Sequence, residues 1–163
     1  MKPLNTREPI SSYQERFKHT PKNHTLKGYW SGKRGESIYI ITSACPEAFA
    51  ILKKFHRKGV RYIKCIPDFR FCCICTVTLT SMSTQRCKNF SDCDKLCAQY
   101  WNSICYLNIN TWTQSSVAHY RKGHFTWHER NDRIHCDLVP TSIHKSCSHL
   151  GGIAECKCAQ ILK

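Results

Sequence analysis

Between Phe125 and Gly152 the chain carries a block that fixes the order of its elements. It reads Phe125-Thr126-Trp127-His128-Glu129, then Cys136 to Val139 with Pro140, then His144, His149 and Gly151-Gly152. Two short apolar runs flank the polar stretch Arg130 to His135, which suits a hairpin with Asn131-Asp132 near its tip. Pro140 stops the second strand, Thr141 or Ser142 is placed to cap a helix carrying His144, and the glycine pair lies just past that helix's expected end. The order is strand, strand, helix. His128 on the first strand then faces His144 on the helix across a gap that one divalent ion would fill.

His144 and His149 are poorly placed as a pair on one ideal helix, because five residues rotate their side chains about 140° apart. Either the helix ends before His149 and the backbone turns it back, or only one of the two binds metal. The glycines permit the first arrangement, and it is the one expected.

The remaining composition narrows the partner class. Twenty-five Lys and Arg against 11 Asp and Glu leave a formal charge of +14 on 163 residues, and polyanions reward such a surface through counterion release. The 41% hydrophobic and 11% aromatic content suits one globular domain with a core. No run has the apolar length of a membrane span, and no apolar segment follows the first charges, so neither a span nor a signal peptide is expected. Thirteen cysteines cannot all pair within the chain, and their spacing does not repeat the paired Cys-x-x-Cys knuckles of a zinc ribbon. Reduced, buried thiols are the expectation, with Cys73 and Cys75 sharing a strand face. A second, structural zinc on Cys147, Cys156 or Cys158 is the alternative.

Upstream, residues 1–27 read as an irregular basic arm with Pro3, Pro9 and Pro21, ahead of a single domain over 28–163. Ser37 to Ile41 suits a strand, and Cys45-Pro46 opens a helix whose apolar face is Ala48, Ile51, Leu52 and Phe55. Val60 to Lys64 and Phe71 to Leu79 read as strands on either side of a Pro67-Asp68-Phe69 turn. Ser91 or Asp92 is placed to cap a second helix, and Thr113 to Tyr120 forms a third.

These residues resemble the HNH/endonuclease VII superfamily, specifically colicin-like DNase/tRNase toxin domains with a Trp-His-His or Trp-His-Glu signature. The resemblance rests on Thr126-Trp127-His128-Glu129, Leu138-Val139-Pro140, Ile143-His144 and His149 with Gly151-Gly152. Trp30-Ser31-Gly32-Lys33-Arg34-Gly35-Glu36-Ser37, Pro67-Asp68-Phe69, Asn89-Phe90-Ser91, Trp101-Asn102 and Tyr120-Arg121 fall in the expected order. Where relatives tend to show Asn-Gly before Pro-Asp-Phe, this chain has Lys64-Cys65-Ile66, so a glycine-dependent turn would have to change.

The resemblance implies a mixed α+β domain ending in a ββα-metal (His-Me finger) motif at about 124–152. It implies an endonuclease hydrolysing nucleic acid, with DNA favoured over tRNA. One divalent ion (Zn, Mg, Mn or Ni) would sit on His128, His144 and His149, and the general base would be Glu129 or one of those histidines. It also implies an antibacterial toxin delivered as part of a larger secreted polypeptide into a target cell's cytoplasm, restrained by an acidic immunity protein. The competing expectation is a non-catalytic nucleic-acid-binding module with a structural zinc site.

Overall fold

The computed structural model describes residues 6–161. Its first layer is an antiparallel sheet built from β1 (Gly28–Trp30), β2 (Ile38–Ile41), β3 (Gly59–Ile63) and β4 (Ile66–Pro67), in that spatial order. Trp30, Tyr39, Ile41, Val60 and Tyr62 turn one face inward, where Ala48 and Leu52 of α2 (Pro46–Lys54) cover them. Gly59 permits the close strand approach, since a Cβ there would collide with the Tyr39 carbonyl.

The second layer holds β5 (Cys75–Thr78), β7 (His135–Pro140) and β6 (Phe125–Glu129), with β7 central and both pairings antiparallel. Trp127 pairs with Leu138, and both face the core formed with α3 (Arg86–Ser103) and α4 (Gln114–Arg121). Trp101, Trp112 and Val117 complete that core. Val139 points the other way and joins Tyr62, Phe69, Ile143 and Cys147, so β7 is shared between two cores. Two further helices, α5 (Thr141–Ser146) and α6 (Gly152–Ile161), follow the hairpin. The fold is the expected small α+β domain, and the strand-strand-helix order over its last block is as read. Among the described residues no helix is long and apolar enough to cross a membrane.

Several local expectations are corrected. The arm is not irregular throughout: Tyr13–Lys18 forms α1, because Ser12 Oγ accepts from Glu15 N while Glu15 returns a bond to Ser12 N, a capping box that Ser12-x-x-Glu15 spells out. Residues 1–5 of that arm lie outside the described residues. Arg34 donates to the Phe17 carbonyl in the last turn of α1 and to the Thr20 carbonyl just beyond it, and rests over the Phe17 ring, so that motif arginine is a brace for the arm. Helix α3 begins at Arg86, ahead of Ser91, because Asn89 ties Ser83 to its first turn through three hydrogen bonds of 2.9 Å. The strand expected over Phe71 to Leu79 narrows to Cys75–Thr78, leaving Cys73 in the preceding turn.

The turn of the first sheet is not at Pro67, which pairs with Tyr62 inside β4. Ile63 pairs with Ile66, leaving Lys64 and Cys65 as a two-residue loop with φ of 50° and 65°. The backbone thus keeps the left-handed geometry that Asn-Gly favours, and non-glycine residues occupy it. Neighbours hold it there: Arg16 Nε donates to the Lys64 carbonyl, Glu36 accepts from Lys64 N, and Cys65 N donates to the Gly35 carbonyl. Gly35 itself has φ +78°, and a Cβ would lie 2.6 Å from Cys65 Sγ.

Lys64→Gly should therefore stabilise the fold by about 0.5–1 kcal/mol by relieving left-handed strain, net of glycine's greater chain entropy. Gly35→Ala should destabilise it by about 2–3 kcal/mol. Urea midpoints at constant slope measure both, and a lowered midpoint for Lys64→Gly would count against strain at this turn.

Candidate functional site

The signature tryptophan sets the geometry first. Trp127 Nε1 donates to Asp94 Oδ1 at 2.8 Å, and Asp94 is held from the other side by Arg121, Nε to Oδ1 at 2.8 Å and the terminal nitrogen to Oδ2 at 2.9 Å. One buried carboxylate on α3 thus joins β6 to α4. Because neighbouring side chains on a strand point to opposite faces, fixing Trp127 against α3 sends His128 to the opposite side and returns Glu129 toward α3.

On its side, His128 meets the two other histidines. Ring centroids are 5.5 Å apart for His128 and His144, 4.9 Å for His128 and His149, and 5.0 Å for His144 and His149. Phe69 lies beneath all three, its centroid 4.8, 5.6 and 5.7 Å from theirs. That explains the Pro67-Asp68-Phe69 landmark: β4 delivers the ring, and Asp68 is locked by Arg70 at 2.6 and 2.8 Å.

His149 reaches the cluster because α5 stops at Ser146. Cys147 leaves the helical region, and Tyr62 donates to the Ser148 carbonyl at 3.1 Å, drawing the next residue inward. Neither Thr141 nor Ser142 caps this helix with its side chain, since Pro140 occupies the cap position. Gly152 opens α6 rather than ending α5, and its lack of a side chain admits the Arg130 carbonyl and Met82 sulfur, which would lie 2.5 and 2.6 Å from a Cβ.

The donor set suits a cation. A carbonyl can only accept, so His149 Nδ1, 2.6 Å from the Cys147 carbonyl, carries the proton and leaves Nε2 with a lone pair. That Nε2 lies 3.2 Å from His128 Nδ1. Nitrogens sharing a zinc ion with bonds of about 2.0–2.1 Å in a tetrahedral shell stand roughly 3.3 Å apart, a close match. One ring nitrogen from each of the three histidines lies within 4.8 Å of the others, and this is the sole metal-competent group among the described residues. The cysteine alternative on Cys147, Cys156 or Cys158 therefore finds no such group.

Electrostatics agree. Desolvation, then its two neighbouring imidazoles, holds His128 well below the ordinary histidine range. Burial, then His149, pushes His144 down to about 3, and burial lowers His149 to about 4 against the opposing bond to Cys147. All three are neutral at pH 7, the form that ligates metal.

Glu129 is not a solvated hairpin charge. It is 5% exposed, its Oε1 accepts from Asn89 Nδ2 at 2.9 Å, and its Oε2 lies 3.5 Å from Arg86 Nε. Burial raises its carboxyl pKa against the pull of Asn89 and Arg86. Glu129 lines a cavity of about 340 Å³ together with His128, His144, His149, Arg86 and Lys145. The structure brings all four residues read from the sequence to one cavity. Asn89, Asp94, Tyr62, Arg86 and Lys145 were not assigned to it, although the Asn89-Phe90-Ser91 and Tyr120-Arg121 landmarks pointed toward α3 and α4.

A family model describing the DNase/tRNase domain of colicin-like bacteriocins matches residues 59–151, which is more than half of the chain and contains the imidazole cluster. The chain belongs to that family. No curated protein and no solved structure gives a match. Membership implies a nuclease hydrolase with nucleic acid as substrate, and this colicin-like domain brings to it a histidine cluster able to hold a metal.

The histidine shifts carry a sign. Their folded-state values lie below the ordinary 6.5, so the unfolded chain takes up protons first. Their contribution to stability is intact above about pH 6.5 and is lost as pH falls toward 4 and 3. Melting temperature should decline between pH 6.5 and 5, before paired carboxylates titrate, and less so in His149→Ala. A flat profile in wild type would contradict the neutral cluster.

Proposed function

We propose that this domain is an HNH-type, metal-dependent endonuclease in which His128, His144 and His149 hold one divalent ion. The observation that carries the reading is the set of three neutral imidazoles converging on one point at the end of a strand-strand-helix unit, within a nuclease family match. Three nitrogen donors and no carboxylate favour zinc or nickel over magnesium, which prefers oxygen. When bound, the ion supplies positive charge that neutralises the scissile phosphate and stabilises the leaving oxygen.

The chain's own residues supply the rest. Arg86 and Lys145 border the cavity and offer cationic contacts to backbone phosphates. Glu129 is the group left to accept the proton of attacking water, since the three imidazoles serve as ligands. Its raised pKa makes it a stronger base than an ordinary carboxylate, and Asn89 fixes one oxygen so the other stays available near Arg86. Asn89 and Asp94 act through other residues and are positioning groups. DNA is the first substrate in this reading and tRNA the second. Action in a target cell's cytoplasm, delivery within a larger secreted polypeptide and restraint by an acidic inhibitor complementary to the +14 charge complete the proposal.

Purified protein incubated with plasmid DNA and with tRNA, with zinc, nickel, manganese or magnesium, should cut one of them and stop on chelation. His128→Ala should reduce cleavage by about 10³-fold or more while one equivalent of zinc ceases to raise the melting temperature. Nucleic acid bound yet intact under every metal would favour the binding-module reading instead.

Glu129→Gln, which retains the Asn89 contact, should lower the cleavage rate by about 10²–10⁴-fold and leave zinc binding unchanged. Full activity in that variant would move the base elsewhere.

A further inference from the structure

Four buried cysteines outside the site face one another in two pairs between α3 and the second sheet. Cys93 and Cys97 stand one helical turn apart on α3, so both emerge from the same face, about 5–6 Å apart. Cys75 of β5 and Cys136 of β7 share one sheet face, because Cys75 pairs with Leu138 and Val77 with Cys136. Such diagonal neighbours lie about 7–8 Å apart or a little less at Cβ. The two spacings are close enough for helix thiols to meet strand thiols one to one. Cys75 is the neighbour that acts most strongly on the Cys97 thiol, and Cys93 the one that acts most strongly on Cys136. All four are buried in the same core, all thirteen cysteines of the chain are free thiols, and the four sulfurs do not converge as a metal-holding group.

We propose that Cys75–Cys97 and Cys93–Cys136 are disulfide-forming pairs that staple α3 to the sheet when the chain folds in the presence of a small-molecule disulfide such as glutathione disulfide. For each pair, one cysteine thiolate attacks a sulfur of glutathione disulfide and expels one glutathione thiolate, giving a mixed disulfide. The partner thiol then loses its proton, attacks the protein sulfur of that mixed disulfide and expels the second glutathione. Two protein thiols are oxidised by two electrons, one glutathione disulfide is reduced to two thiols, and protons pass from the cysteines to the departing thiolates.

In the folded chain the neighbouring cysteine, together with burial, holds Cys97 and Cys136 far above the ordinary thiol range. Those two thiols are therefore poor nucleophiles in the native chain, and because the core encloses all four cysteines the bridges close during folding, before the oxidant is excluded. The stapled helix carries Arg86, Asn89 and Asp94, so the bridges brace the cavity while placing no sulfur in it. The inference is independent of nuclease activity, and its test does not measure cleavage.

The full reduced chain would be unfolded, then refolded either in reductant or in a mixture of reduced and oxidised glutathione, followed by alkylation, digestion and mass mapping. Expected are peptides joined Cys75 to Cys97 and Cys93 to Cys136 in the oxidised sample, with a melting temperature roughly 5–15 °C above the reduced one. Combining Cys75→Ala with Cys97→Ala should remove one bridge and keep the other. Recovery of these four residues as alkylated thiols, their appearance in other pairings, or folding in reductant but failure in glutathione disulfide would each overturn the proposal.

Discussion

The carboxylate of Asp94 is the contact on which the arrangement of the site depends. It accepts from the indole of Trp127 and from both arms of the Arg121 guanidinium, so three elements meet at one buried charge. Removing it would leave a buried indole N–H and a largely buried guanidinium without their acceptor, a loss worth several kcal/mol in comparable settings. The consequence passes along the strand by alternation. With Trp127 pinned to the helical side, His128 has one direction left, and Phe69 with the two other imidazoles waits there.

Burial acts on the two kinds of titratable group in opposite senses. It lowers the proton affinity of the histidines and raises that of Glu129, since a low-dielectric surrounding disfavours charge of either sign. One cavity therefore presents uncharged nitrogen lone pairs on one wall and a carboxyl group of raised basicity on another. The two sets stay separate because strand geometry gives His128 and Glu129 to different faces, with α5 serving one and α3 the other.

Much of this was legible in the sequence, for identifiable reasons. The hairpin and α5 were marked by short-range signals: apolar runs, a polar tip and a proline stop. The five-residue spacing of His144 and His149 does not suit one helical face, which left two readings, an early helix end or a single ligand, and the structure has the early end that brings His149 back. What the sequence hid was long-range. Tyr62 steers His149 from another sheet, and Asn89 reaches Glu129 across a sequence separation of 40. No local pattern encodes such a contact. The Lys64-Cys65 turn was misjudged for another reason: its strain is balanced by bonds from Arg16, Glu36 and Gly35, none of which propensity can anticipate. The capping box of Ser12 and Glu15, by contrast, is a wholly local signal, set between Pro9 and Pro21 of the arm.

Glu155 gives the fold a further property. It is fully buried on α6, where it accepts from the backbone of Ile10 and Ser11, from Ser11 Oγ and from Asn131 Nδ2 in the hairpin loop. The bonds to Ile10 and Ser11 span 145 and 144 positions of sequence. Contacts of such separation close late in folding, because the entropy of the intervening chain is lost before they repay it. On a ribosome, Ile10 and Ser11 are made long before Glu155, so the loop behind the histidine hairpin is locked only after α6 has emerged.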